Sequence, residues 1–236
     1  MIDFFDVIER EGAAFGNACG RADAAARIAG CPDWNARDLL WHMVIVDELW
    51  RTVVGERLVN RQDFVPPVRP DDDQLDATYR SGLDRVVDVL RAADPDMPTW
   101  SWMPDATAAW VTRRLAHETT VHRWDAELAA GDDPVIDASF ASDGIDEFLF
   151  QMIGRVSPGA GAAGGSVHLH CTDVDGEWTV RPESDGSLVV AREHAKGDAA
   201  IRGSANDLLL VLWRRLPLAA VDVIGDEGVA DRFIAG

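Results

Sequence analysis

The chain is expected to combine an all-α part with an α+β part: a helical bundle over residues 1–156, a linker at 157–165 and a small α+β domain over 166–236. Three observations predict this. Apolar residues recur at three- and four-residue spacing through the first part of the chain, the period of a helix packed on one face. The stretch SPGAGAAGG at 157–165 has too little apolar side chain to bury and reads as a flexible connection. Beyond it the pattern alternates residue by residue, as strands do.

The helical spacing predicts helices at about 3–29, 35–55, 72–94, 107–130 and 139–155. They are separated by CPDWN, by the proline-rich RQDFVPPVRPDD, by DPDMPTWSWMPD and by GDDPVID. Asn35 with Asp38 three positions on marks one helix start, and the acids Asp71 to Asp73 mark another, since carboxylates favour the positive end of the helix dipole. Gly131 suits the end of the fourth helix. Long helices joined in this way suggest an antiparallel bundle. In the second domain SVHLHCTD, GEWTVRPE, GSLVVAREH and DAAIRG read as strands, with DVDG and ESDG as turns. Two helices complete it, SANDLLLVLWRRL and DEGVADRFIAG.

A net charge of −19 argues against nucleic acid or an anionic membrane as partner, because a phosphate-binding surface needs a basic patch. All but one of the 22 basic residues are Arg, the exception being Lys196, a bias that points to a GC-rich bacterial genome. Cys19, Cys31 and Cys171 are too few and too scattered for a disulfide framework, which suits a reducing cytoplasm. The N-terminal MIDFFDVIEREGAAF mixes acids among its apolar residues and reads neither as a signal peptide nor as a membrane span. A soluble cytoplasmic protein is expected.

The fourth helix carries an unusual stripe. From Val111 and Leu115 the same face continues through Glu118, His122 and Asp125, so the inward line turns polar midway. Residues four apart stack one turn above each other, and the carboxylate of Glu118 and the imidazole of His122 can therefore reach one point. On the second helix, His42 shares the inward side with Leu39, Met43, Val46, Trp50 and Val53. If the two helices pack together, the three groups form a set suited to Zn²⁺ or another divalent ion with one position left open. The alternative is a helix hydrogen-bonding pair beside an ordinary core histidine. His117, five residues before His122, falls off the shared face, and HETTVH is not the His-Glu-x-x-His zinc-protease motif.

The blocks CPDWNARDLLWHM, WSWMPDATAAWVTRRLAHETTVHRWDAELAAG, DGIDEFL, VHLHCTDVDGEWTV and NDLLLVLWRR resemble the mycothiol-dependent maleylpyruvate isomerase family, in family order from about residue 31 to the C-terminus. The resemblance implies a DinB-like four-helix bundle followed by a small sterol-carrier-like α+β domain. It implies metal ligands at His42, Glu118 and His122, with mycothiol as thiol cofactor or co-substrate. The thiol, held as thiolate by the metal, would add to a small electrophile in an isomerase or S-transferase reaction. It also implies an arginine from the C-terminal domain near the cleft, with Arg202, Arg214 and Arg215 all open.

Other residues carry weaker signals. Asp125 could orient an imidazole, although pairing with an arginine or with solvent is the plainer reading; Arg113, Arg114 and Arg123 flank the stripe, with solvated helix charge the plainer reading for these. His168 and His170 share one strand face but show no third ligand in the sequence pattern, so a structural or exposed role is expected, with Cys171 in the core. Seven of the nine tryptophans lie in the first domain and are expected mainly in its core, with WSW a candidate cleft lining. A non-catalytic protein binding a metal or an apolar ligand, and a thiol-independent metal hydrolase, are the alternatives to a thiol enzyme.

Overall fold

The computed structural model describes residues 2–23 and 25–236. It divides into two compact units that meet at Pro134 and Val135. Among the described residues, the first unit contains four α-helices: α1 (Phe4–Arg21), α2 (Ala36–Gly55), α3 (Asp72–Ala92) and α4 (Ala108–Ala129). Each start has a local cause. Asp3 accepts hydrogen bonds from the Phe5 and Asp6 amides. Asn35 accepts from Arg37 and Asp38 while the Asp38 carboxylate accepts from the Asn35 amide, a reciprocal cap that sets where α2 begins and so where His42 falls. Acids occupy the first turn of α3, and Thr107 caps α4. Gly131 closes α4 at φ +87°, a conformation that costs glycine nothing.

The first helix ends at Arg21, eight residues earlier than the spacing predicts. Ala22 turns to extended backbone, and Asp23 accepts from the Ala25 amide through its side chain and from Ala26 through its carbonyl. A short polar side chain of this kind offers the backbone an alternative to the helix despite the alanine-rich composition. The chain then forms a small antiparallel ribbon, β1 (Arg27–Ile28) and β2 (Cys31–Asn35), which leads into α2. Helix α1 lies against α4 and α3, and α2 against α3 and α4. Phe15 and Tyr79 meet edge-on at 5.2 Å, and the Tyr79 hydroxyl donates to the Gly12 carbonyl. A Cβ on Gly16 would stand 3.2 Å from that tyrosine ring, so the glycine permits the close approach of α1 and α3.

The second unit starts well before the glycine-rich stretch, so the boundary expected at 157–165 moves to 134/135. Helix α5 (Ala138–Glu147), a π-helical turn over 148–152 and α6 (Ile153–Val156) form one interrupted rod that belongs to the C-terminal unit. Its ties are polar as well as apolar: Trp178 donates to Asp146, Ser142 to the Asp175 carbonyl, and the Ile136 amide to Asn206. The glycines of SPGAGAAGG serve packing. A Cβ on Gly161 would lie 2.1 Å from the Gly186 carbonyl oxygen, and one on Gly159 would lie 2.6 Å from the backbone of Gly236. Small side chains that sequence pattern reads as flexibility are here the condition for two backbones to touch.

The sheet of this unit runs β5 (Leu188–Ala191), β4 (Glu177–Pro182), β3 (Val167–Cys171), β6 (Ala199–Gly203), β7 (Asp222–Gly225). Only the central β3–β6 pair is parallel. One face is apolar, with Val167, Leu169, Cys171, Trp178, Val180 and Ile201 all buried. The α5, α7 (Ala205–Leu212) and α8 (Glu227–Ala235) helices complete the unit. The strand β7 escapes the sequence pattern because it is a short edge strand with no buried position. The mixed helical and sheet architecture agrees with the class expected.

Replacing Gly161 by Ala separates a packed glycine from a linker glycine. The added methyl meets backbone, so a loss on the order of 1–3 kcal/mol is expected in urea unfolding, whereas a solvated linker would be indifferent to it.

Candidate metal centre

Helix α4 is buried over most of its circumference: Arg114 to His117 and Thr119 to Ala126 are all buried. This explains why its polar stripe is not a solvent face. His42 of α2 and Glu118 and His122 of α4 converge, with one donor atom from each lying within 4.8 Å of the others. His42 Nε2 stands 3.4 Å from Glu118 Oε1, and the two imidazoles are 5.0 Å apart with planes at 80°. The side chains of His42 and Glu118 are 29% and 21% exposed, so the cluster is reachable from solvent.

Asp125 settles the orientation of His122. Its carboxylate, wholly buried, stands 3.0 Å from His122 Nδ1. An imidazole that donates from Nδ1 presents Nε2 as its lone-pair nitrogen, the arrangement a metal-ligating histidine needs. Asp125 is therefore no solvent cap. Arg114 Nε lies 3.5 Å from Glu118 Oε2 and is 2% exposed, while Arg123 is paired with Glu11 and Glu127. These two arginines are buried structural charges and not the solvated ones the sequence suggests. His117 packs edge-on against Phe4, away from the cluster.

The electrostatics give the donors the right protonation for a cation. Burial pulls the Glu118 carboxyl upward, but the His42 hydrogen bond and the Arg114 charge outweigh it and hold the group at about 2. Burial holds His122 below its ordinary value against the opposing pull of Asp125. An ionised carboxylate beside a neutral imidazole is the donor chemistry that a divalent ion takes. The donor set, its convergence and the Asp125 bond together fit such an ion.

Two neighbours were not singled out by pattern. The Trp34 ring lies 5.0 Å from that of His42, so the residue lining this cluster comes from β2, while Trp102 packs with Trp50 and Trp110. Asp47, on the α2 face that buries Met43 and Trp50, is 1% exposed with neither carboxylate oxygen hydrogen-bonded. Burial, reinforced by the Glu118 charge, pushes its carboxyl well above the usual range. Its place in an apolar stripe was the only available signal. In the C-terminal unit, Arg214 donates to the carbonyls of Ile234 and Val156 and to Ser157, and Arg215 to the Trp213 carbonyl, whereas Arg202 is exposed in register with His170.

A helical bundle carrying a two-histidine, one-carboxylate cluster, followed by a small α+β unit, defines the class. Residues 5–127 match the family model described as mycothiol maleylpyruvate isomerase N-terminal domain, and residues 139–232 match its C-terminal domain. The chain belongs to the mycothiol maleylpyruvate isomerase family, a family of enzymes. The two matched segments, ending at 127 and starting at 139, lie on either side of the 134/135 boundary. Comparison with curated proteins and with solved structures gave no significant match. Among the described residues no helix is long and apolar enough to cross a membrane.

The unpartnered Asp47 makes a stability prediction. Its folded value lies above the unfolded one of about 3.9, so the folded state holds the extra proton and wild-type stability should fall as pH rises from about 4 through that raised value. Asp47→Leu should remove this slope and add on the order of 1–3 kcal/mol at pH 7, read by urea denaturation across pH.

Proposed function

We propose that this protein is a divalent-metal enzyme that uses mycothiol to attack a small electrophile, in an isomerase or S-transferase reaction. His42, Glu118 and His122 would hold the metal, with zinc the best fit to two imidazoles and one carboxylate. The observation that carries the reading is the convergence of one donor atom each from His42, Glu118 and His122 within 4.8 Å, with Asp125 against His122 Nδ1 leaving Nε2 as the donor nitrogen.

A bound divalent ion would supply a Lewis acid that keeps a thiol in its thiolate form at neutral pH. The remaining work falls to the chain. Glu118 brings the negative charge that makes the position favourable for a cation, and Arg114 keeps that carboxylate ionised and aimed. Asp125 prevents the His122 ring from turning. Three protein donors leave room for an external ligand, and the partial exposure of His42 and Glu118 gives it access.

The nucleophile is an added thiol. Burial pushes the Cys19 and Cys171 thiols up to about 12, which leaves neither of these two a useful thiolate at neutral pH, and the partly exposed Cys31 is not among the converging donors. An external low-molecular-weight thiol meets that need. Adding it to an electrophilic double bond gives a stable thioether in a transferase, or permits bond rotation before the thiol leaves in an isomerase. The same metal cluster serves either outcome. A cytoplasmic setting accords with a reduced thiol cofactor.

Elemental analysis and calorimetry test this directly. Wild-type protein is expected to bind mycothiol only when metal-loaded, and His122→Ala is expected to lose thiol binding and thiol-dependent turnover. Turnover without added thiol would favour a hydrolase, and metal uptake without thiol binding would favour a non-catalytic binding protein. Asp125→Asn keeps the shape but weakens the acceptor; metal affinity should drop about 10- to 100-fold, measured by competition with a chelator.

A further inference from the structure

The second unit brings a different set of donors together. His168 and His170 alternate onto the same face of β3, opposite the buried Val167, Leu169 and Cys171. The antiparallel register sets Glu177 of β4 across from His170 and Thr179 across from His168. The third histidine arrives from beyond β5: Glu193 accepts hydrogen bonds from Thr179 and Arg181, and that anchor leaves His194 over Glu177. One donor atom from each of His168, His170, Glu177 and His194 lies within 4.8 Å of all the others. The sequence pattern shows the first two as a pair without a third ligand; the sheet register and the β5 return supply the third and fourth.

We propose that His168, His170, Glu177 and His194 form a second divalent transition-metal site, for zinc foremost, in the C-terminal unit. His168 Nε2 is 2.9 Å from Glu177 Oε2, His170 Nδ1 is 3.3 Å from Oε1, and His194 Nδ1 also contacts Oε2. The imidazole planes cross at 74° to 89° with centroids 5.3 to 6.4 Å apart, so the rings do not stack on one another. Satisfying a single carboxylate requires far less than three imidazoles from two separate chain segments. Three imidazoles and one carboxylate make an N₃O set that matches tetrahedral zinc, with bonds of about 2.0–2.1 Å.

Four protein donors close the coordination sphere, the mark of a structural centre. The ion would tie β3, β4 and the segment after β5 to one another. The donors grade from His168, 9% exposed, to His194, 78% exposed, so His194 is the ligand whose removal disturbs the fold least. This inference does not depend on the function proposed for the His42 cluster.

Zinc stoichiometry decides it. Chelator-stripped wild type, His122→Ala and the double variant His122→Ala/His194→Ala are titrated with Zn²⁺ by calorimetry, with circular dichroism to check folding. Two ions, one ion and none are expected in turn, the last as a loss of affinity of more than tenfold. Zinc should raise the unfolding temperature of His122→Ala and not of the double variant. No zinc uptake by His122→Ala, with one ion in wild type, would overturn the second site and leave the first. Equal uptake by the single and double variants would overturn it as well. One ion in both wild type and His122→Ala, lost on adding His194→Ala, would sustain the second site and remove the first.

Discussion

The hydrogen bond between Asp125 and His122 depends on a demanding circumstance: helix α4 is buried nearly all round while carrying two histidines, three arginines, an aspartate and two glutamates. Polar groups withdrawn from water cost several kcal/mol unless they are paired. The surroundings of α4 are organised to meet that demand. Glu11 of α1 takes the Arg123 charge, Arg114 lies against Glu118, and the Trp124 ring donates to the Pro134 carbonyl where the unit ends. At the centre one carboxylate and two imidazoles converge on a common point.

The same burial that makes those pairings necessary gives the cluster its chemistry. Desolvation pulls Glu118 upward; the His42 bond and the Arg114 charge outweigh it, and so a negative donor persists beside a neutral one. Nearby, Asp47 receives no such partner and is driven toward its neutral form. Two carboxyl groups within one bundle thus end in opposite states, and the difference is made by neighbours and not by residue type. The cysteines follow the same rule, with burial withdrawing Cys19 and Cys171 from nucleophilic use.

In the C-terminal unit the governing constraint is backbone proximity. Gly159 and Gly161 lie where another chain segment passes within contact distance, and Arg232 reaches the Ala163 carbonyl across the same region. That close packing draws the α5–α6 rod into the unit, which moves the domain boundary away from the glycine-rich stretch. On the opposite side of the sheet from its apolar face, strand alternation gathers the histidines that composition alone scatters over 27 positions, from 168 to 194.

Much of the fold and of the first cluster was legible in the sequence because both rest on local periodicity. Residues three and four apart share a helix face, so Glu118, His122 and the inward side of His42 could be read directly, as could the capping pair Asn35 and Asp38 and the alternation of β3. The end of α1 was not legible, since Asp23 competes with an alanine-rich helix through turn contacts that propensity does not weigh. Nor was Trp34 beside His42, which depends on the β1–β2 ribbon. The sequence by itself determined which side chains lie on each face of a helix or strand. Tertiary structure alone decided which faces meet, that glycines at 159 and 161 are packed, and that Glu177 and His194 join His168 and His170, because contacts between distant segments depend on register and close approach, and neither has a local period.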